Sequence, residues 1–292
     1  MAAAAAFAVA ACTGAAHAQN APSSDAGVGS NGSKTLIEWL LGSSGNSKPP
    51  SKEDDRIEPD RPHFPEASTT VGLGRAVLEG GYTFTSNGSS FRSHSLPEAL
   101  LRVGVMAEWF ELRVGQNFLA QRQTAGGAVL DSSGAQDLYL GAKVALSEQH
   151  GILPQVAVIP QMTVPTGSSA TTAGRVLPGV NVDASWQVIK DVFDVEFLVA
   201  NNAVQDGVRS SRLEVATGLT GAVHLTKQLE AFAEWDAFYP VGGLSPAPPR
   251  HYAVGGLVYF LSSNLEADIR LGHGLNSNSN DWIAGVGFAA RY

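Results

Sequence analysis

A two-residue alternation runs from about residue 73 to the C-terminus and sets an apolar face against a charged one. Between Leu229 and Tyr239, Leu229, Ala231, Ala233, Trp235, Ala237 and Tyr239 share one face, and Glu230, Phe232, Glu234, Asp236 and Phe238 share the other. Leu265, Ala267, Ile269 and Leu271 oppose Glu266, Asp268 and Arg270. Phe193, Val195, Phe197 and Val199 oppose Asp194, Glu196 and Asn202. Successive side chains point to opposite faces of a strand, so these segments read as strands with one apolar and one charged wall. About twelve of them start near residues 74, 96, 108, 136, 152, 179, 192, 210, 228, 250, 264 and 282, each close to the length that crosses a bilayer when tilted. The chain reaches no apolar run long enough for a membrane-spanning helix.

The connections separate a soluble sandwich from a closed transmembrane barrel. Those after even-numbered segments are tight: Ala107-Glu108, Ser147 to Gly151, Lys190-Asp191, Thr226-Lys227 and Ser262-Ser263. Those after odd-numbered segments are expected to be longer: Ser86 to Ser93, Gln121 to Ala135, Thr166 to Pro178, Pro240 to Pro249 and Asn276 to Asp281. Outer-membrane barrels have an even strand number, short periplasmic turns and long extracellular loops, whereas a sandwich has no reason to alternate. The reading is therefore all-β: a closed, antiparallel, up-and-down transmembrane barrel over 67–292, with both termini in the periplasm. Trp109, Phe110, Trp186, Tyr239, Tyr259, Phe260, Trp282 and Tyr292 are candidates for its aromatic girdles. The chain ends on Tyr292, the last of an outward row, which resembles the C-terminal strand presented to the barrel-assembly machinery. Outer-membrane lipid and that machinery are the expected partners.

The first residues agree with export. Residues 2–11 form an apolar core, and Ala16-His17-Ala18 reads as a cleavage site, giving a signal peptide over 1–18 and a Gram-negative cell-envelope location. No Lys or Arg precedes the apolar core. An alternative is a lipoprotein signal, with Val9-Ala10-Ala11-Cys12 as the lipobox. Cys12 is the only cysteine. Residues 19–66 have linker composition and are expected to form a flexible periplasmic segment. Thr35 to Gly42 within it reads as a turn or two of amphipathic helix. The net charge of −8 argues against a nucleic-acid partner.

A family resemblance rests on short motifs. Asp60-Arg61-Pro62, Phe64 and Glu66 precede Leu78-Glu79-Gly80-Gly81-Tyr82-Thr83-Phe84; Gln136-Asp137-Leu138, Leu153-Pro154 and Pro165-Thr166-Gly167 follow. This arrangement over 60–292 resembles the outer-membrane transporter family that carries the name MetA-pathway of phenol degradation. The resemblance implies a barrel that passes small molecules, small aromatic or hydrophobic compounds among them.

No catalytic, cofactor or metal site is expected: the histidines are scattered and no phosphate-cradling glycine loop is present. His273 lies near Asn276, Ser277 and Ser279, a weak echo of an outer-membrane lipid hydrolase. Functional weight falls on the inward charges. By parity these are Glu79, Glu98, Arg102, Glu111, Arg113, Asp137, Lys143, Asp194, Glu196, Arg212, Glu214, Glu230, Glu234, Asp236, Glu266, Asp268 and Arg270, with Asp183 and Arg291 beside them. Acids outnumber bases, so a conducting lumen is expected to favour cations or neutral solutes. The expected function is a channel or transporter for a small-molecule solute. The alternative is a non-conducting structural or partner-binding barrel, its lumen filled by ion pairs.

Overall fold

The computed structural model describes residues 33–42, 56–206, 210–243 and 247–292. The expected signal peptide, with Cys12, lies outside the described residues, as does most of the expected flexible segment. The one helix among the described residues is α1 (Leu36–Leu41). Thr35 caps it by accepting from the Glu38 N–H, and Gly42 ends it in the left-handed conformation. It rests against the barrel wall, where Trp39 meets Trp109 with ring centroids 5.8 Å apart.

Thirteen strands follow: β1 (Ala76–Asn87), β2 (Phe91–Gly104), β3 (Phe110–Ala125), β4 (Ala128–Ala135), β5 (Leu138–Ser147), β6 (Gln155–Val164), β7 (Leu177–Ile189), β8 (Phe193–Gln205), β9 (Ser211–His224), β10 (Leu229–Val241), β11 (Arg250–Ser262), β12 (Leu265–Gly274) and β13 (Trp282–Arg291). Each barrel strand pairs antiparallel with its neighbours. β1 pairs with both β2 and β13, and β2 pairs with β3, so the sheet closes on itself as a 12-strand barrel. Closure leaves the wall no free edge, and every strand can satisfy its backbone hydrogen bonds within the sheet. A 13-residue strand such as β10 is about 43 Å long; tilted near 45° it spans roughly the 30 Å of a hydrocarbon core.

The strand starts follow the alternation closely, but two connections differ from expectation. The first hairpin turns in three residues, Gly88 to Ser90, instead of opening a long loop. Gln121 to Ala135 is not a loop either. β3 runs past its barrel neighbour β5, turns at Gly126-Gly127, where both φ angles are positive, and returns as β4, which pairs with β3 alone. This ribbon lacks an apolar face, and its cross-strand Arg122–Asp131 pair (2.7 Å) is exposed on both sides, so no two-faced alternation marks it.

The barrel is inside-out relative to a soluble protein. Ile269, Leu271, Leu257 and Val286 are about half exposed on the outer wall, whereas Arg102, Arg113, Lys143 and Glu111 are almost wholly enclosed. A large charged group avoids burial in a soluble core unless paired, and an exposed belt of leucine and isoleucine is stable only in lipid. One girdle candidate is displaced: Phe260 points inward, and the Arg56 guanidinium covers its ring at 3.8 Å.

Candidate functional site: an inserted segment and two cavities

Residues 56–72 enter the barrel at the tight-turn mouth, reach inward and return to β1. The expectation of a flexible segment therefore differs from the structure over 56–66. The reason is electrostatic and stereochemical. A chain segment without strand partners must satisfy its N–H and C=O groups some other way. Here the inward charges do it.

Glu79 accepts from the Asp60 N–H (3.0 Å) and the Arg61 N–H (3.1 Å). Glu111 accepts from the Val71 N–H, Glu234 from the Phe64 N–H and Asp183 from the Glu66 N–H, each at 2.9 Å. The cations do the converse. Arg102 donates to the Glu58 carbonyl, Lys143 to the Ala67 carbonyl (2.6 Å) and Arg270 to the Pro62 carbonyl (2.7 Å). Charge-assisted bonds of this kind are roughly twice as strong as neutral ones.

The segment's own side chains complete the network. Asp60 lies 2.6 Å from Lys143 Nζ, 2.6 Å from Arg113 Nη2 and 3.2 Å from Arg102 Nη1. Burial alone would raise its carboxyl, but these three cations hold it well below the usual carboxylate range. Arg61 reaches Glu98 (2.8 Å) and Asp268 (3.3 Å), and Glu66 reaches Arg113 (2.9 Å). His63 Nδ1 donates to Glu196 at 2.7 Å, with Glu230 at 4.0 Å from its other nitrogen. Burial opposes its protonation, yet Glu196, Glu234 and Glu230 raise it to about 9. Beside it, His224 bridges Asp194 (2.8 Å) and Glu230 (3.0 Å). The facing glycines Gly81 and Gly287 form the slot in which the Arg61 guanidinium lies; a Cβ on either would collide with it.

The remaining inward candidates sit elsewhere. Asp137 accepts from the Gly167 and Ala173 N–H groups, both at 2.9 Å, and so pins the connection between β6 and β7 across the wide mouth. Arg212 pairs with Asp206 (3.0 Å) and Glu214 with Arg250 (2.8 Å) near that same rim. Asp236 and Glu266 are buried on the inner wall. The sequence reading missed the segment 56–66 as a partner of these charges and gave no weight to an amide-lined wall formed by Asn117, Gln136, Gln161, Asn181 and Asn202. The signal for the first was the density of charge and proline in Asp60 to Glu66, unusual for a linker.

Two cavities flank the inserted segment. The first, about 750 Å³, faces the long-connection mouth, and the second, about 1020 Å³, faces the tight-turn mouth. Arg61 and His63 line both, so the tip of the segment is the partition between them. His273 on the outer face packs on Trp282 (4.7 Å), while the Ser279 hydroxyl donates to the His251 carbonyl; the two do not form a hydrolase pair.

A closed twelve-strand barrel with a lipid-type exterior defines the class of transmembrane β-barrel proteins. The chain belongs to the family described as "Putative MetA-pathway of phenol degradation", whose model matches residues 59–292. That match begins at the inserted segment. Among solved structures, the COG4313 outer membrane channel from Pseudomonas putida F1 has the same fold, with a TM-score of 0.60 at 14% identity over 78% of this chain and 99% of that one. The NanC porin is similar at a TM-score of 0.47, with 11% identity over 74% of this chain and 98% of the porin. No curated protein matches the chain.

Proposed function

We propose that the protein is an outer-membrane channel for small molecules in which residues 56–72 form a built-in constriction. The observation that carries this reading is the pair of cavities at opposite mouths, divided only by the tip around Arg61 and His63. A barrel filled solely for structural reasons would pack side chains along its whole length. Membership of the family supports small aromatic or hydrophobic compounds as solutes.

In this reading residues 1–18 are a cleaved export signal, and the tight turns face the periplasm. The inserted segment then enters from the side on which an exported chain arrives. β13 closes the barrel against β1, with Val77 opposite Arg291, and would be the strand read by the assembly machinery.

Discrete current steps from purified protein in planar bilayers test the proposal. Their absence would favour the second reading, a non-conducting barrel, which the dense ion pairing around Asp60 supports. A tag at Lys190-Asp191 should be shielded on intact cells, and one within Thr166 to Pro178 accessible.

A further inference from the structure

The first cavity is flanked by charges, yet its wall of β3, β5, β6, β7 and β8 presents side-chain amides. Gln161 on β6 donates to Asn181 Oδ1 (3.1 Å) and to Asn202 Oδ1 (2.9 Å), and Asn202 donates to Asn181 Oδ1 (3.1 Å). Three neighbouring strands thus hold one amide triad. The triad is seated by Gly179: Asn202 lies opposite it in register, with its carbonyl in the space a Cβ would occupy. Further round the same wall, Asn117 donates to Gln136 Oε1 and to Ser95 Oγ, both at 2.7 Å.

These internal bonds fix the amides without exhausting them. Each primary amide carries two N–H donors and a carbonyl with two lone pairs. Among the described residues the Asn181 amide N–H groups and the Gln161 carbonyl have no hydrogen-bond partner, and both residues line the cavity. Between the two amide groups stands Tyr139, whose buried hydroxyl also lacks a partner. Leu177 adds apolar surface.

The charged groups of the cavity are already engaged. Arg61 is held by Glu98 and Asp268, Arg113 by Asp60 and Glu66, and Arg270 by the Pro62 carbonyl and the Thr83 hydroxyl, with Glu98 at 3.9 Å; the Nε groups of Arg113 and Arg270, which lack a partner, are buried away from the cavity's open space. Asp137 is held by loop N–H groups. An ionised solute entering here would lose hydration and meet charged groups already hydrogen-bonded to the protein, an expensive transfer. A hydroxyl, which donates and accepts at once, matches fixed amides that do the same.

We infer that this amide wall is a binding site for uncharged solutes bearing hydroxyl groups, with the Gln161–Asn181–Asn202 triad as its recognition element. The inference rests on the channel reading and supplies the solute class for its outer cavity. A volume of about 750 Å³ is that of a small-molecule site. Because the surrounding charged groups are bonded to the protein itself, selection here is by hydrogen bonding and not by charge.

Saturation-transfer NMR on the full-length barrel in detergent tests it, with glucose as the uncharged probe and gluconate as the anionic one. Glucose should give a saturable signal and gluconate one about tenfold weaker, the factor expected when one well-made hydrogen-bond set is replaced by an unpaired charge. Asn181→Leu with Asn202→Leu should lower the glucose signal about tenfold. If that variant fails to insert, Asn202→Ser, which keeps polarity but shortens the reach, must still reduce it. Equal signals for the two probes, or an unchanged glucose signal in an inserted variant, overturn the inference. Potassium conductance of the same preparation keeps the two readings apart. A barrel that conducts but binds no glucose overturns the site alone; one that binds glucose without conducting supports the site and overturns the channel reading.

Discussion

Asp60 and Lys143 meet inside the barrel with 2.6 Å between carboxylate and ammonium, although 83 residues separate them in the chain. The contact ties the inserted segment to β5, and Arg102 and Arg113 converge on the same carboxylate. Removing Asp60 would leave three buried cations short of a counter-charge. Breaking a buried pair from one side costs about 3–5 kcal/mol. Asp60→Ala should therefore free the segment, and limited trypsin digestion of folded barrel should cleave after Arg56, at the Arg56–Ile57 bond, in the variant but not in the wild type.

The glycine slot gives a steric test that leaves every charge in place. Gly81→Val puts side-chain atoms where the Arg61 guanidinium lies, so the guanidinium must leave its bonds to Glu98 and Asp268 to make room. The same tryptic site should open. Gly81→Val with Arg61→Ala, which removes the collision, should restore part of the protection at Arg56. Full protection at Arg56 in Gly81→Val alone would contradict the slot.

Docking of the segment should also depend on pH through His63. Its pKa in the docked state is raised to about 9, above the ordinary 6.5. The stabilisation is thus fully present below about 6.5 and is lost as pH rises through about 9. Between pH 7 and pH 10, protease protection of the segment should fall. His63→Gln should flatten that dependence, and an unchanged profile would contradict the assignment.

Much of the fold is legible because lipid and lumen impose opposite demands on alternate residues. The rows Leu265, Ala267, Ile269, Leu271 and Glu266, Asp268, Arg270 can face only one way each. The β3–β4 ribbon was not legible because a hairpin outside the bilayer needs no apolar face: Arg122 and Asp131 serve it as well as any hydrophobic pair. The inward direction of Glu79, Arg102, Glu111 and Lys143 was legible by parity. Their partner was not, because Asp60, Arg61 and Val71 of the inserted segment satisfy them across long sequence separations that no local period records. Phe260 shows the same limit: an aromatic near a strand end reads as girdle, but Arg56 draws it into the interior.

The acid excess on the inner wall takes a different meaning with the segment in place. Glu79, Glu111, Asp183 and Glu234 accept backbone N–H groups of that segment, so much of their charge is committed to holding it. Glu234→Gln weakens the hold on Phe64 and should raise conductance before it alters ion preference. Reversal potential across a salt gradient, measured together with conductance, distinguishes the two effects.

Constriction of the pore by residues 56–72 is tested by single-channel conductance of wild-type protein against Asp60→Ala with Arg61→Ala in the same bilayer. Cutting both anchors should release the tip that divides the two cavities. Small steps are expected for the wild type and steps several-fold larger for the double variant, with the barrel still folded by its heat-modifiable migration in gels. Equal conductance in a folded double variant shown by trypsin to have released the segment would contradict it.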